Sequence, residues 1–438
     1  AGRRGAELGF PVRAVPLSRA EVEGFYQGFS NSIVWPLFHD RLADIAFAPE
    51  HYDAYRAVNR RFAGVVAGLA DAVDLVWVHD YHLFHVGEEL RVTHPDRRLG
   101  FFLHIPFPAP DLFRRLPWRD ALLRALLAYD LVGVQHARDA DNLVANLRAM
   151  PEPPVVTVDG GEIRVGHPGG TTRIAVLPIG IDPRPWEARA QRPEVVARLD
   201  ELRRLQPELK LVLGVDRLDE TKGLFERLRA WEHLIRTRPA LRGRVQLVQL
   251  VVPSRENVPR YKQIKRDVER MVGEINGALG MPGWAPISHL YRAVPPDELT
   301  ALYRVADVCI VSSIKDGMNL VAMEYCAAQV DEIGALVLSE FAGAADLLGR
   351  WAWIVNPHDR VGTADAIVAA LDAPLDERRR RMRALRRLVH DNDVYAWVDR
   401  FVQAVADAPG DPPRSVAAGG EADPAVGASR GPVVAVAS

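Results

Sequence analysis

Two short segments of this chain carry residue types suited to holding a diphosphate. In the first, Gly214-Val215-Asp216-Arg217-Leu218-Asp219-Glu220-Thr221-Lys222-Gly223, an apolar run exits into a loop bearing Arg217 and Lys222. A guanidinium and an ammonium at such an exit can clamp a diphosphate and stabilise the charge that grows as it leaves, a task metals perform elsewhere. In the second, a polar loop from Lys315 turns directly into an apolar helix after the run Asp307 to Ser313. The first N–H groups of a helix are free and its dipole is positive there. Asp316 and the backbone of Gly317, Met318, Asn319, Leu320 and Val321 therefore offer a place for an anion. Glu324, further along the same helix, is an acceptor suited to a pair of ribose hydroxyls, and the layout points to a sugar-nucleotide site. Asp316 and Gly317 also suit a plain helix cap, and a loop Arg or Lys is usually just solvated. Spacing alone leaves both readings open.

Other polar residues stand just after apolar runs. Asp80 lies in Val76-Trp77-Val78-His79-Asp80-Tyr81-His82-Leu83, His104 in Phe101-Phe102-Leu103-His104-Ile105-Pro106-Phe107-Pro108, and Arg255 in Val252-Pro253-Ser254-Arg255. A histidine at a strand end is more often a satisfied structural group than a catalyst. His79 and His82 could be read as a metal pair, but no third ligand follows at a recognisable spacing. No metal or cofactor is expected.

The elements that must position these residues are legible as short Val, Leu and Ile runs alternating with longer helical patterns, which predicts α/β architecture with parallel sheets covered by helices. The first half holds candidate strands at Asp74 to His79, Arg98 to Ile105, Asp130 to Gln135 and Arg173 to Ile181. The second holds Lys210 to Asp216, Val245 to Val252, Ser288 to Tyr291, Asp307 to Ser313, Ala335 to Glu340 and Trp353 to Val355. Leu224, Phe225, Leu228, Trp231 and Ile235 fit one helix face. Two such sheets imply two Rossmann-like domains, 1–185 and 186–385, joined where prolines cluster at Pro183 to Pro193. A C-terminal helix over 386–407 is expected to pack back on the first domain. The stretch 408–438, rich in Gly, Pro, Ala and Ser, reads as a disordered tail. Ligands of open parallel sheets bind at the carboxyl ends of strands, so the substrates are expected between the domains.

Composition narrows the class. The 438 residues are 48% hydrophobic and 26% charged with a formal net charge of -2, which gives no electrostatic reason to expect nucleic acid or an anionic membrane as partner. No apolar run approaches the ~20 residues needed to span a bilayer, the first residues show no secretory pattern, and the chain reads as cytoplasmic. The two cysteines, Cys309 and Cys326, fall in apolar patterns and support neither a disulfide framework nor a metal site. Of 55 basic residues only Lys210, Lys222, Lys262, Lys265 and Lys315 are lysine. A lysine kept in a glycine-flanked loop suggests a need for a compact point charge.

Many further segments carry a resemblance. Gly28-Phe29-Ser30-Asn31 with Trp35-Pro36, the Val78-to-Leu83 run, Phe102 to Pro108, Pro178-Ile179-Gly180-Ile181, Val215 to Asp219, Pro253-Ser254-Arg255, Asp316 to Ala322 and Ser339-Glu340-Phe341-Ala342-Gly343-Ala344 occur in the order found in glycosyltransferase family 20, the family of trehalose-6-phosphate synthases. The chain resembles that family over nearly all of Val15 to Asp393. The resemblance implies the GT-B fold, two Rossmann-like domains facing a central cleft, and transfer of glucose with retention from a nucleotide donor, UDP-glucose above all, to glucose 6-phosphate in trehalose biosynthesis. The nucleotide sugar is a substrate, so no cofactor is implied. Arg217 and Lys222 would hold the donor diphosphate, Glu324 the ribose, and Asp316 with Gly317 to Val321 the glucose and phosphates. Asp80 and His104 would contact the reacting sugars, while Tyr26, Trp35 and Arg255 would form the acceptor pocket, Arg255 facing the sugar phosphate.

No carboxylate pair of the kind retaining glycosidases use is evident. The family's expected route is front-face, with the leaving diphosphate oxygen helping to deprotonate the incoming hydroxyl. Three departures stand out. The family's opening strand, with Ser-Asn-Arg-Leu-Pro, and its Gly-Gly-Leu loop are absent ahead of Ala1, so the N-terminal domain is expected to be incomplete at its start. Glu220 stands where the family has an aromatic residue, and Met323 where it has a lysine. Two rival readings are a relative with another acceptor, such as a glucosylglycerol-phosphate synthase or a pseudoglycosyltransferase, and a non-catalytic nucleotide-sugar-binding protein. The donor base, the acceptor and the oligomeric state, a homo-oligomer included, are not legible in the residues.

Overall fold

The computed structural model describes residues 11–408, apart from Asp44, Asp71, Gln206 and 255–258, and residues 433–436. The chain divides into two units, one of residues 1–177 with 399–438 and one of residues 178–398. The division falls at Leu177/Pro178, a little before the proline cluster, and the first unit takes back the chain from Asp399 onward.

The first unit is built on a mixed sheet of β1 (Leu75–His79), β2 (Arg98–Phe102), β3 (Leu131–Val134), β4 (Val155–Asp159), β5 (Glu162–His167), β6 (Gly170–Val176) and β13 (Val433–Val436), in the order β13-β1-β2-β3-β6-β5-β4. The strands from β13 to β6 run parallel. β4 and β5 were not legible as strands and pair antiparallel to each other and to β6. Their turn is made by Gly160 and Gly161 at φ 55° and 87°, the left-handed backbone that a tight hairpin requires. Trp77 and Phe401 stack with ring centroids 4.0 Å apart, which ties the returning chain to the sheet. Space for Phe401 exists because Gly100 and Gly133 carry no Cβ, which would approach its ring to 2.7 and 3.1 Å.

The second unit holds a wholly parallel sheet of β7 (Lys210–Arg217), β8 (Val245–Val252), β9 (Ile287–Tyr291), β10 (Val308–Val311), β11 (Ala335–Ser339) and β12 (Trp353–Val355), in the order β12-β11-β10-β7-β8-β9. Strands covered on both faces read as continuous apolar runs, which made the inner strands β7, β8, β10 and β11 plain in the sequence, while the edge strands β9 and β12 are only partly buried. The helix Leu224–Thr237 buries Leu224, Leu228, Trp231 and Ile235 as its spacing predicts, together with Arg227. Each such aliphatic side chain contributes ~1.5–3 kcal/mol by leaving water. Cys309 and Cys326 are free and buried in the core.

The expectation of a disordered tail over 408–438 is corrected in part. Val433–Val436 forms a strand beside β1, in the register Leu75↔Val433 to Val78↔Val436. A run of β-branched residues after Gly431-Pro432 favours extended backbone, and this short run was hidden by the Gly, Ala and Pro around it. Among the described residues no helix is long and apolar enough to cross a membrane.

Candidate active site

In the second unit the strand order reverses between β7 and β10, because the chain proceeds from β7 outward to β9 and then returns to β10 on the other side. Such a switch point opens a crevice at the carboxyl ends of the two strands, where open α/β sheets bind ligands. Arg217 ends β7, Lys222 follows it and Asp316 follows β10, so the sequence-predicted residues flank this crevice.

The two loops are joined by an ion pair, Lys222 Nζ to Asp316 Oδ2 at 2.5 Å. The same carboxylate oxygen accepts from Ser313 Oγ at 3.1 Å and Asn319 Nδ2 at 3.0 Å. Asn319, at φ 77°, also caps the helix Leu320–Ala328, its side chain accepting the Ala322 N–H. Asp316 is thus tied to the cap without being the cap itself. Burial pulls the Lys222 ammonium pKa down, but attraction and hydrogen bonding to Asp316, helped by Asp219 and Asp216, outweigh it and the net shift is upward. Lys222 stays charged. Arg217 differs: it is exposed, and its guanidinium makes no ion pair among the described residues.

Below this pair lies a buried layer that sequence reasoning missed. Arg227 bonds to Asp216 at 2.7 Å, Gln249 at 2.9 Å and Ser312 Oγ at 3.0 Å. Ser312 Oγ in turn donates to the carbonyls of Lys222 and Gly223 at 3.2 and 3.1 Å. Gly223, at φ 64°, lies so close that a Cβ would sit 1.9 Å from the Ser312 carbonyl oxygen. A lone arginine on an apolar helix face was the available signal. Glu324 accepts a 3.0 Å hydrogen bond from Tyr303, and burial raises its pKa against that bond.

The two departures near this site have structural answers. Glu220 is held by Arg260 through bonds of 2.5 and 3.1 Å, so its charge is spent on a neighbour other than Lys222. Met323 is buried in the core.

In the first unit Asp80 and His104 come just after the neighbouring parallel strands β1 and β2 and meet. Asp80 Oδ1 accepts the His104 N–H at 3.2 Å, and the Asp80 N–H donates to the Phe102 carbonyl at 2.8 Å. Asp80 sits at φ 73°, ψ 167°, a region essentially reserved for glycine and costing of order 1–3 kcal/mol. Burial raises its carboxyl pKa to about 6, opposed by the hydrogen bonds from Tyr81 and His104. His79 Nδ1 and His104 Nε2 share a 3.1 Å hydrogen bond with their rings stacked 5.3 Å apart. Burial lowers His104 to about 4, and burial with its neighbour lowers His79 to about 3, so both rings are neutral near pH 7.

Tyr26 and Trp35 belong to a stretch of unusual backbone. Val22–Val34 is π-helical, and the Trp35 N–H reaches back to the Ser30 carbonyl. π-Helical turns are frequent at functional sites. Tyr26 stacks on His82 at 5.4 Å, and Trp35 packs on His39 and Tyr81. Asn31 links the group, donating to the Tyr26 carbonyl at 2.7 Å and accepting from Tyr81 Oη at 3.0 Å. His79 therefore turns to His104 and His82 to Tyr26, rather than to one another. Among the described residues no group of three His, Cys, Asp or Glu could hold a metal ion. Arg255 lies outside the described residues.

Known proteins similar to this chain are numerous. The Thermoproteus tenax bifunctional trehalose-6-phosphate synthase/phosphatase is 44% identical over 402 residues, 91% of this chain; the chain spans only 54% of that relative's length. The Mycobacterium avium trehalose-6-phosphate synthase is 44% identical over 90% of this chain and 81% of its own. Among solved structures, one from E. coli with UDP-2-fluoro glucose bound aligns with TM-score 0.85 at 37% identity, over 89% of this chain and 86% of that one. A Burkholderia xenovorans alpha,alpha-trehalose-phosphate synthase (UDP-forming) in complex with glucose-6-phosphate aligns equally well, with TM-score 0.85 and 37% identity over 89% and 85% of the two chains. The α/β architecture of two units is the GT-B fold expected from the sequence. The Glycosyltransferase family 20 model matches residues 4–407, and the chain belongs to that family of glycosyltransferases.

Proposed function

We propose that the chain is a retaining glucosyltransferase that moves glucose from UDP-glucose to glucose 6-phosphate, giving alpha,alpha-trehalose 6-phosphate. The observation that carries the donor half is the meeting of Lys222 and Asp316 across the β7/β10 switch point, with Arg217 beside them and Glu324 on the adjoining helix. Arg217 and Lys222 hold the diphosphate, Asp316 and the backbone of Gly317 to Val321 orient the glucose, and Glu324 takes the ribose hydroxyls. The acceptor half rests on Tyr26, Trp35, Asp80 and His104 in the first unit, with Arg255 assigned to the sugar phosphate. Support for the substrates comes from the relatives' names and from the two solved neighbours with a UDP-glucose analogue and glucose-6-phosphate.

The bond between C1 of glucose and the β-phosphate oxygen breaks, and a bond from C1 to the acceptor's anomeric hydroxyl oxygen forms on the same face. The hydroxyl proton passes to the departing phosphate oxygen. No protein nucleophile is required, and the chain's part is orientation and charge stabilisation as the diphosphate leaves. Lys222, held as a cation, and the exposed guanidinium of Arg217 supply the charge.

The test is an assay with UDP-, GDP- and ADP-glucose against glucose 6-phosphate and glycerol 3-phosphate, with the anomeric configuration of any product read by NMR. Trehalose 6-phosphate with UDP-glucose is expected. No turnover of glucose 6-phosphate with any donor defeats the reading, and turnover of glycerol 3-phosphate alone assigns another acceptor.

A further inference from the structure

The turn that carries Lys222 is held by the chain just beyond β10. Three consecutive carbonyls accept hydrogen bonds from it: that of Thr221 from the Ile314 N–H at 2.8 Å, and those of Lys222 and Gly223 from Ser312 Oγ at 3.2 and 3.1 Å. Ser312 is the first residue after β10 and is fully buried. Lys222 is therefore held at its tip by Asp316 and at its root by Ser312.

Arg227 decides which way the Ser312 hydroxyl points. Its Nε–H can only donate and lies 3.0 Å from Ser312 Oγ, so the oxygen accepts there and its single proton is left for the two carbonyls. Asp216 at 2.7 Å and Gln249 at 2.9 Å lock the guanidinium in turn. Gly214 leaves it room, since a Cβ there would come within 2.2 Å of Nη1. A buried ion pair of this kind adds little net stability over apolar residues of the same volume. Its effect is placement: a fixed guanidinium fixes a hydroxyl, and the hydroxyl fixes the turn.

We propose that Ser312 is a positioning residue for the glucosyl transfer, setting the Lys222-Gly223 turn and through it the place of the Lys222 ammonium. The proposal rests on the assignment of Lys222 to the donor diphosphate. A misplacement of about 1 Å at a group that orients a reacting centre can cost on the order of 10²-fold in rate, so a hydroxyl that touches no substrate can still govern the reaction.

The test is a double-mutant cycle on the full chain, with kcat/KM measured for Ser312→Ala, Lys222→Ala and the variant carrying both, using UDP-glucose and glucose 6-phosphate. Ser312→Ala removes one atom and leaves two carbonyls and the Arg227 Nε–H without their partner. It is expected to lower kcat/KM on the order of tenfold when Lys222 is present, and less than about twofold when Lys222 is already alanine. A loss that comes from general weakening of the fold appears in both backgrounds. Equal losses in the two backgrounds therefore overturn the proposal, and so does an unchanged kcat/KM in Ser312→Ala alone. If Lys222→Ala by itself leaves kcat/KM unchanged, it is the diphosphate assignment that falls, and the proposal falls with it.

Discussion

Lys222 Nζ and Asp316 Oδ2 lie 2.5 Å apart, bridging loops that follow two strands on opposite sides of a topological switch point. The pair keeps the lysine charged in a largely buried place, and donor phosphates would meet a cation already fixed in position. Lys222→Ala is expected to lower kcat/KM by about 10²–10³, the usual cost of removing one electrostatic stabiliser of a leaving group. Lys210 provides the control, since its side chain is half exposed and its Nζ donates to the Leu371 carbonyl at 2.8 Å. Lys210→Ala should leave kcat/KM within a factor of about three, as for most surface charges. Steady-state kinetics on both variants decides; equal losses would remove Lys222 from the clamp.

The conformation of Asp80 separates its backbone role from its side-chain role. Glycine accepts φ 73°, ψ 167° without strain and alanine does not. Asp80→Gly is therefore expected to be more stable than Asp80→Ala by about 1–2 kcal/mol, while both lose the acceptor for the His104 N–H. Urea unfolding of the two variants measures the difference, and an alanine variant as stable as the glycine one would show the turn to be unstrained.

Gly223 and Gly160 share a left-handed backbone, at φ 64° and 55°, but only Gly223 has a neighbour where a Cβ would go. Gly160→Ala is expected to cost about 1 kcal/mol from backbone strain alone. Gly223→Ala should cost at least about twice that, because the Ser312 carbonyl cannot give way without moving β10. Denaturant midpoints compare them, and equal costs would mean that the loop bearing Lys222 is loosely seated.

Stability should respond to pH through two opposed groups. His79 and His104 have folded pKa values near 3 and 4, below the ordinary 6.5, so their contribution is full above pH 6.5 and is lost as pH falls toward 4 and then 3. Asp80 is raised from 3.8 to about 6, so its contribution is full below pH 3.8 and is lost as pH climbs through 6. Relative to the unaltered chain, Asp80→Asn should gain stability between pH 4 and 6.5, by on the order of 3 kcal/mol. A His79→Asn, His104→Asn variant should flatten the loss on acidification below pH 6.5. Urea titrations at several pH values read both slopes, and a pH-independent difference for Asp80→Asn would refute the raised carboxyl.

Legibility in the sequence followed burial. Val245–Val252 could be read because a parallel strand covered on both faces is apolar throughout. Val155–Asp159 is largely exposed, so it lacked that run, although Asp159-Gly160-Gly161 was a hairpin signal in plain view. Candidate site residues were legible as types at strand ends, and Arg217, Lys222 and Asp316 were proposed in this way. Their couplings were not. His79 meets His104 only because β1 and β2 align His79 with Phe102, a register no local pattern encodes. The strain at Asp80 was equally hidden, since aspartate advertises no particular φ.

The first unit is interrupted in sequence. It is begun by residues before Leu177, yet Phe401, which stacks on Trp77, and Val433–Val436, which flanks β1, are made only after all of residues 178–398. On the ribosome, where domains fold as units in order of synthesis, the inserted second unit is made in full before the residues of the first are complete. The sheet that carries Asp80 and His104 must therefore wait, with Gly100 and Gly133 uncovered, while a later stretch of chain folds ahead of it. Its exposure during synthesis is set by the length of the insert rather than by its own folding rate.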